Sequence, residues 1–260
     1  MNSQKLKKIT EDLLDIFFMA GKTSLDLRSK GLIKKIKSDN TPVSNGDIEV
    51  NTILTKAVQS ITPELPIVSE ENSSNKFNKQ LTNFWLIDPI DGTYDYINNG
   101  EEFTLNAALI LNKKPAAGIV YAPAKDRMFY SYGQDSSFEI KNKNEKKIYC
   151  KRKSEINQIR AVTYSKNLKP EIEKIHKKFG VTEYVRMKSS LKFCVIASGD
   201  FDLYVAEARA CEWDIAAGHA ILNNAGGIIT DFEGNNIQYG KKDFKNPSLI
   251  LKRTSDLQYG

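Results

Sequence analysis

Trp85-Leu86-Ile87-Asp88-Pro89-Ile90-Asp91-Gly92-Thr93 runs from an apolar strand into two carboxylates three residues apart, with a proline between them and a Gly-Thr turn behind. Unpaired carboxylates are costly to desolvate, so acids at the buried end of a strand are paired, hydrogen-bonded or bound to a cation. The Gly-Thr that follows offers backbone N–H groups and a hydroxyl, the groups that hold a phosphate. Acids suited to a metal beside donors suited to an anion point to metal-assisted phosphate chemistry.

Upstream of this stretch, Leu6, Ile9, Leu13, Phe17 and Ala20 recur at three- and four-residue steps and predict a core-facing helix over 4–27, closed by Gly31. Residues 32–37 alternate like a strand, and Ser38-Asp39-Asn40-Thr41-Pro42 reads as a turn. A second helix is expected over 47–60 with Ile48, Ile53, Leu54, Ala57 and Val58 inward, then a strand at 67–69 ending in Glu70-Glu71 and a polar surface loop over 72–79. Downstream, strands at 104–111, 116–121, 128–132, 137–141 and 147–150 with short gaps predict an antiparallel sheet. After about residue 153, strands at 161–164, 183–186 and 202–205 alternate with helices at 171–179, 191–197 and 214–224, the last closed by Gly226-Gly227. The fold class is therefore α+β, with an N-terminal antiparallel-sheet subdomain over 1–155 that carries most of the metal ligands and a C-terminal α/β subdomain over 156–260 that completes the site.

The 260 residues, 40% hydrophobic and 27% charged, suit a soluble globular protein with a sizeable core. No apolar run approaches the roughly 18 residues of a membrane span, and Glu11, Asp12 and Asp15 interrupt any signal-peptide core. The net charge of +6 admits nucleic acid, a membrane surface or an anionic substrate. Its dense part, from Lys141 to Lys153, has no nucleic-acid-binding signature and reads as a solvated hairpin. Three cysteines, Cys150, Cys194 and Cys211, without CxxC spacing argue against a disulfide framework or zinc and fit a reducing cytoplasm. Of the two histidines, His176 and His219, the second lies on the apolar helix after Asp214 and reads as packed rather than ligating. Carboxylate oxygen is the metal-binding capacity that remains, which suits Mg²⁺, Mn²⁺ or Ca²⁺.

Taken alone, each acid has an ordinary reading: Asp47 and Asp214 as helix caps, Glu70-Glu71 as a solvated strand end, Asp88 and Asp91 as turn formers. Together, Ser69-Glu70-Glu71, the stretch from Trp85 to Thr93, and Glu212-Trp213-Asp214-Ile215-Ala216-Ala217-Gly218 resemble the three motifs of the inositol monophosphatase-like family, in order and spacing. Five further segments resemble the CysQ-type 3′(2′),5′-bisphosphate nucleotidases of that family. They are Lys37-Ser38-Asp39-Asn40-Thr41-Pro42-Val43, Tyr94-Asp95-Tyr96-Ile97, Gly100-Glu101-Glu102-Phe103-Thr104, Gly118-Ile119-Val120-Tyr121-Ala122-Pro123 and Ser189-Ser190-Leu191-Lys192-Phe193-Cys194. The chain departs from the pattern at Lys188, at Ala208-Arg209-Ala210-Cys211 and at Asn45-Gly46.

The resemblance implies a layered αβαβα sandwich. It implies two or three Mg²⁺ ions, with Mn²⁺ as a substitute, on Glu70, Asp88, Asp91, Asp214 and the Ile90 carbonyl. Glu71 is a second choice as ligand. Thr93 and Asp47 would orient the attacking water and take its proton, with Glu70 also in the catalytic set, and the N–H groups of Gly92 and Thr93 would hold phosphate oxygens. The substrate side would comprise Glu70, Ile90, Asp91, Gly92, Thr93, Ser190, Lys192 and Asp214. Lys192, Lys188 and Arg209 are the candidates for a second phosphate. The implied reaction is Li⁺-sensitive hydrolysis of adenosine 3′,5′-bisphosphate, and by extension its sulfated form, to AMP and phosphate. The protein would be a cytoplasmic monomer or homodimer, with a peripheral place on the cytoplasmic side of the inner membrane as the alternative location, and with no nucleic-acid partner. An inositol or sugar monophosphatase is the nearest alternative, and a non-catalytic nucleotide- or RNA-binding protein the alternative of another class.

Overall fold

The computed structural model describes residues 1–37, 40–71, 81–150, 158–255 and 257. Helix α1 (Ser3–Lys30) leads into a hairpin of β1 (Lys34–Ile36) and β2 (Pro42–Ser44), then helix α2 (Asn45–Ile61). A seven-stranded sheet follows: β3 (Ile67–Ser69), β4 (Phe84–Asp91), β5 (Thr104–Leu111), β6 (Lys114–Ala122), β7 (Arg127–Ser131), β8 (Ser137–Lys141) and β9 (Asn144–Ile148), paired in that order. Only β3 and β4 are parallel; the rest form a meander. The short helix α3 (Thr93–Ile97) interrupts between β4 and β5.

The second sheet has the order β11-β10-β12-β14-β13. Its strands are β10 (Ile159–Thr163), β11 (Val181–Arg186), β12 (Leu203–Ala206), β13 (Ile228–Thr230) and β14 (Leu249–Lys252). Helices α4 (Pro170–Lys178), α5 (Leu191–Ala197) and α6 (Glu212–Asn224) connect them.

Strand alternation sorts these elements into layers. Trp85, Ile87, Leu105, Ala107, Leu109, Ile119 and Met128 face one way and pack with Leu13 and Phe17 of α1 and Leu54 and Val58 of α2. Phe84, Leu86, Ala108, Ile110, Val120 and Phe129 face the other way, into a cluster with Phe193 and Ile196 of α5, Ala217 and Ile221 of α6, and Val162, Tyr204 and Leu251 of the second sheet. Ala161, Leu203, Val205 and Ile250 cover that sheet's outer face with Ile172 and Phe179, around α4. The result is the expected five-layer αβαβα arrangement, and the inner cluster runs across both sheets.

Several boundaries differ from the sequence reading. α2 starts at Asn45 rather than 47 because Ser44 is its N-cap and Asp47 closes a capping box from the third position. Ile48, expected inward, is exposed, and Val50 takes the buried position. α6 starts at Glu212, which puts Asp214 at its third position too, not at the cap. β9 begins at Asn144 because the Asn142-Lys143 pair turns with positive φ. β13 and β14 were not anticipated; each is short and joins the second sheet antiparallel. Ser38-Asp39, the whole 72–79 loop and Lys151 to Lys153 of the basic patch lie outside the described residues; the β8–β9 hairpin that carries much of the rest of the patch is largely exposed.

Candidate active site

The two aspartates of the opening stretch owe their common direction to a bulge. On a regular strand, residues three apart point to opposite faces. Here Asp88 pairs with Asn106 and Asp91 with Thr104, so three steps on β4 oppose two on β5. The extra residue restores the same facing at both positions. Asp88, Asp91, Asn106 and Thr104 then share one side of the sheet, the side on which α5 and α6 pack. Pro89 sits inside the irregularity, where a missing N–H costs no ladder bond. Ile90 points the other way, into the α1–α2 core.

The chain then turns at Gly92, whose φ of 90° and ψ of 37° are left-handed; a Cβ there would also stand 3.1 Å from the Glu102 carbonyl oxygen. The turn places Thr93 Oγ1 3.0 Å from both Asp47 Oδ1 and the Ile90 carbonyl oxygen. Asp47 is buried, and its other oxygen accepts from Ser44 N–H at 2.8 Å and Ser44 Oγ at 2.6 Å. Burial pushes its carboxyl above the ordinary range, although these hydrogen bonds oppose the shift.

Asp214 is seated by the same device at the start of α6: its Oδ2 accepts from Cys211 N–H at 2.7 Å. Glu70 follows β3 and is tied to β4 through its N–H on the Ile87 carbonyl at 3.1 Å. Burial first, then Glu70, Asp91 and Asp214, push the Asp88 carboxyl well above its usual value. Burial, Asp91 and Glu70 do the same to Asp214. Asp91 is pushed up to about 6 by burial, against the pull of Lys192 and of the Ser190 backbone N–H. Asp88, Asp91 and Asp214 are thus close enough to Glu70 and to one another for the neighbouring charges to add to burial in raising their carboxyls.

Asp88 Oδ1 is buried without a hydrogen-bond partner. An orphaned carboxylate oxygen facing other acids fits a cation. Among the described residues, no three His, Cys, Asp or Glu side chains already stand in an arrangement that encloses an ion. Lys37 instead draws two of the acids, with its Nζ 3.1 Å from Glu70 Oε1 and 2.6 Å from Glu71 Oε1. The donor set is all oxygen, which suits Mg²⁺ or Mn²⁺.

A cleft of about 510 Å³ opens from Asp91, Gly92 and Asp214 toward a basic wall. Lys192, in the first turn of α5, is buried; its Nζ donates to the Ser189 carbonyl and lies 5.3 Å from the Tyr204 ring centroid. Burial brings its ammonium down to about 8, with Asp91 opposing. The Arg209 guanidinium stacks 3.5 Å over the Tyr164 ring. Lys188 also lines the cleft, with its ammonium paired to Asp95. Ser190 Oγ is 2.6 Å from Asn106 Oδ1 and 2.8 Å from Thr104 Oγ1, which joins the basic wall to the bulge. His219 is buried between Tyr239 and Asn223, away from the acids. The sequence reading gave no role to Lys37, Tyr164, Asp95, Thr104 or Asn106, although Lys37, Asp95 and Thr104 lie in segments it had singled out.

Comparison with known proteins agrees with this geometry. The pattern of the inositol monophosphatase family matches residues 4–259. This chain belongs to that family. Within it, a 3′(2′),5′-bisphosphate nucleotidase CysQ of Buchnera aphidicola is 36% identical over 205 residues, covering 78% of this chain and 76% of the relative. The Escherichia coli K12 protein of the same name is 32% identical over 215 residues, covering 82% and 86%. The crystal structure of CysQ from Bacteroides thetaiotaomicron, a bacterial family member, superposes with a TM-score of 0.76 at 26% identity, over 93% of this chain and 96% of that one. An IMPase of Thermotoga maritima shares the fold, with a TM-score of 0.74 at 22% identity over 92% and 89% of the two chains.

Proposed function

We propose that this protein is a divalent-metal-dependent 3′(2′),5′-bisphosphate nucleotidase that hydrolyses adenosine 3′,5′-bisphosphate to AMP and phosphate. The observation that carries the reading is a single cleft with an acid cluster at one end and buried or stacked cations at the other. Such a cleft suits a substrate with one phosphate to cut and another to hold. The names of the bacterial relatives agree with it.

Glu70, Asp88, Asp91, Asp214 and the Ile90 carbonyl would hold two or three Mg²⁺ ions, with Mn²⁺ as a substitute and Glu71 supporting from behind Glu70. When bound, Mg²⁺ acidifies an attacking water and offsets charge on the phosphoryl and leaving oxygens. The proton path uses the chain's own groups. Thr93 Oγ1 has one proton and two acceptors at equal distance, Asp47 Oδ1 and the Ile90 carbonyl; turned to Asp47, it leaves its lone pairs to accept from the water. As the water loses its proton to Thr93 Oγ1, Thr93 passes its own to Asp47 Oδ1. Burial prepares Asp47 for this by favouring its protonated form. Gly92 and Thr93 would orient the phosphate through their N–H groups, and Ser190 would hold Asp91 in place.

Lys192 and Arg209 would hold the second phosphate. The three cysteines are free thiols, which suits the cytoplasm, and no helix of the described residues is long and apolar enough to cross a membrane. Phosphate release from adenosine 3′,5′-bisphosphate, its sulfated form, inositol 1-phosphate and fructose 1,6-bisphosphate, each with Mg²⁺, tests the reading. The nucleotides are expected to be preferred; a preference for inositol 1-phosphate would overturn it.

A further inference from the structure

Lys188 contacts two acids, Asp95 and Glu102, from the segment that follows Thr93. Its ammonium pairs with Asp95 Oδ1, 93 residues away in the chain. Its main-chain N–H donates to Glu102 Oε2 at 3.1 Å, and the Glu102 N–H donates to Asp95 Oδ2 at 2.9 Å. The three residues close a ring of polar contacts, and two of them, Lys188 and Asp95, line the cleft. The ring is braced from behind: Arg28 donates to the Gly100 carbonyl at 2.7 Å, and a Cβ on Gly100 would fall 2.1 Å from Asp95 Oδ2. Burial pulls the Asp95 carboxyl upward, but Lys188 and the Glu102 N–H outweigh it and hold it below its ordinary value.

The segment fastened by this ring leads directly into the site. Ser189 has a φ of 54°, a left-handed conformation that persists in a serine only where its surroundings impose it. Ser190 then donates its N–H to the Asp91 carboxylate and contacts Asn106 and Thr104 through its hydroxyl. Lys192 donates to the Ser189 carbonyl. Five consecutive positions, Lys188 to Lys192, therefore connect the ring to an acid of the cluster and to the buried lysine.

We propose that Lys188 and Asp95 form a latch that positions Ser190 and Lys192, and that Lys188 is not a ligand of the substrate's second phosphate. This inference rests on the phosphatase reading above. Both latch side chains line the cleft, so removing Lys188 leaves the Asp95 carboxylate without its counter-ion and facing an anionic substrate, held only by the Glu102 N–H. Removing Asp95 as well relieves that repulsion. Lys188→Ala, Lys188→Arg, Asp95→Asn and the Lys188→Ala/Asp95→Asn double variant would be assayed on adenosine 3′,5′-bisphosphate and on adenosine 3′-monophosphate.

The latch predicts that Lys188→Ala lowers kcat/KM about tenfold on both substrates, that Lys188→Arg recovers most of it, and that the double variant is no worse than Lys188→Ala. A loss confined to the bisphosphate would make Lys188 a phosphate ligand and overturn the proposal. Losses that multiply in the double variant would overturn it as well. The same cycle read by thermal unfolding needs no turnover: the latch predicts shifts in Tm that do not add, and additive shifts contradict it. Absence of turnover on both substrates by the unmodified protein would count against the phosphatase reading alone.

Discussion

The acid wall and the basic wall of the cleft are built in different ways. Each acid is a short side chain fixed by main chain: Asp88 and Asp91 by a bulge in β4, Glu70 by the end of β3, Asp47 and Asp214 by capping boxes at the starts of α2 and α6. The cations are long side chains whose heads are placed by their partners. Lys188 is held by Asp95, Lys192 by the Ser189 carbonyl and Arg209 by the face of Tyr164. A backbone-fixed wall supports chemistry that needs charge at set points; a partner-fixed wall can be altered by one substitution and suits substrate selection.

If that contrast is right, the acid wall is the more sensitive of the two. Asp91→Asn is expected to lower kcat by roughly a thousandfold or more while the protein stays folded, because in the proposed reaction it removes a charge that would hold the metal at the reacting phosphate. Near-normal Mg²⁺-dependent turnover would break the contrast at its strongest point. Lys192→Ala should act on selection instead. It is expected to raise KM for the bisphosphate by about tenfold to a hundredfold, as loss of a charged hydrogen bond does, with a smaller effect on a monophosphate. Equal effects on both substrates would remove Lys192 from the second-phosphate site.

A smaller effect separates Asp214 from His219, five residues further along α6. Burial holds the His219 imidazole at about 3, well below its ordinary value. Between about 6.5 and 3 the unfolded chain therefore binds a proton that the folded chain refuses, so this contribution to stability is present at pH 7 and lost as pH falls. From pH 7 to 5 the loss is about 2 kcal/mol. Unfolding free energies measured at both values should show a difference smaller by about that amount in His219→Gln; an unchanged difference would contradict the assignment. The smallest effect is expected at the contact between the walls. Asn106→Ala removes the acceptor for Ser190 Oγ and should cost about 1 kcal/mol of stability. A cost near zero would mean that the walls stand independently.

The same contrast explains what could be read without coordinates. Asp88, Asp91, Glu70 and Asp214 were legible because motif spacing and backbone geometry together determine where a short carboxylate goes. The layers were legible through the family resemblance and not through alternation, since β4 and β5 are apolar on both faces. The bulge was not: Asp88 and Asp91 read as turn formers at the end of a strand, and only the offset between Asn106 and Thr104 on β5 shows why they face the same way. Nor was the commitment of Lys188 to Asp95, since a lysine's sequence position does not fix where its ammonium goes. β13 and β14 escaped because strands of 3 and 4 residues carry little pattern of their own, and no motif marks them as Glu70-Glu71 marked the equally short β3.

The most direct test of the central claim is phosphate release from adenosine 3′,5′-bisphosphate by the purified protein, with and without Mg²⁺, beside Asp91→Asn. The account predicts rapid release that requires Mg²⁺ and falls by orders of magnitude in the variant. Release that is indifferent to Mg²⁺, or undiminished in Asp91→Asn, would contradict it.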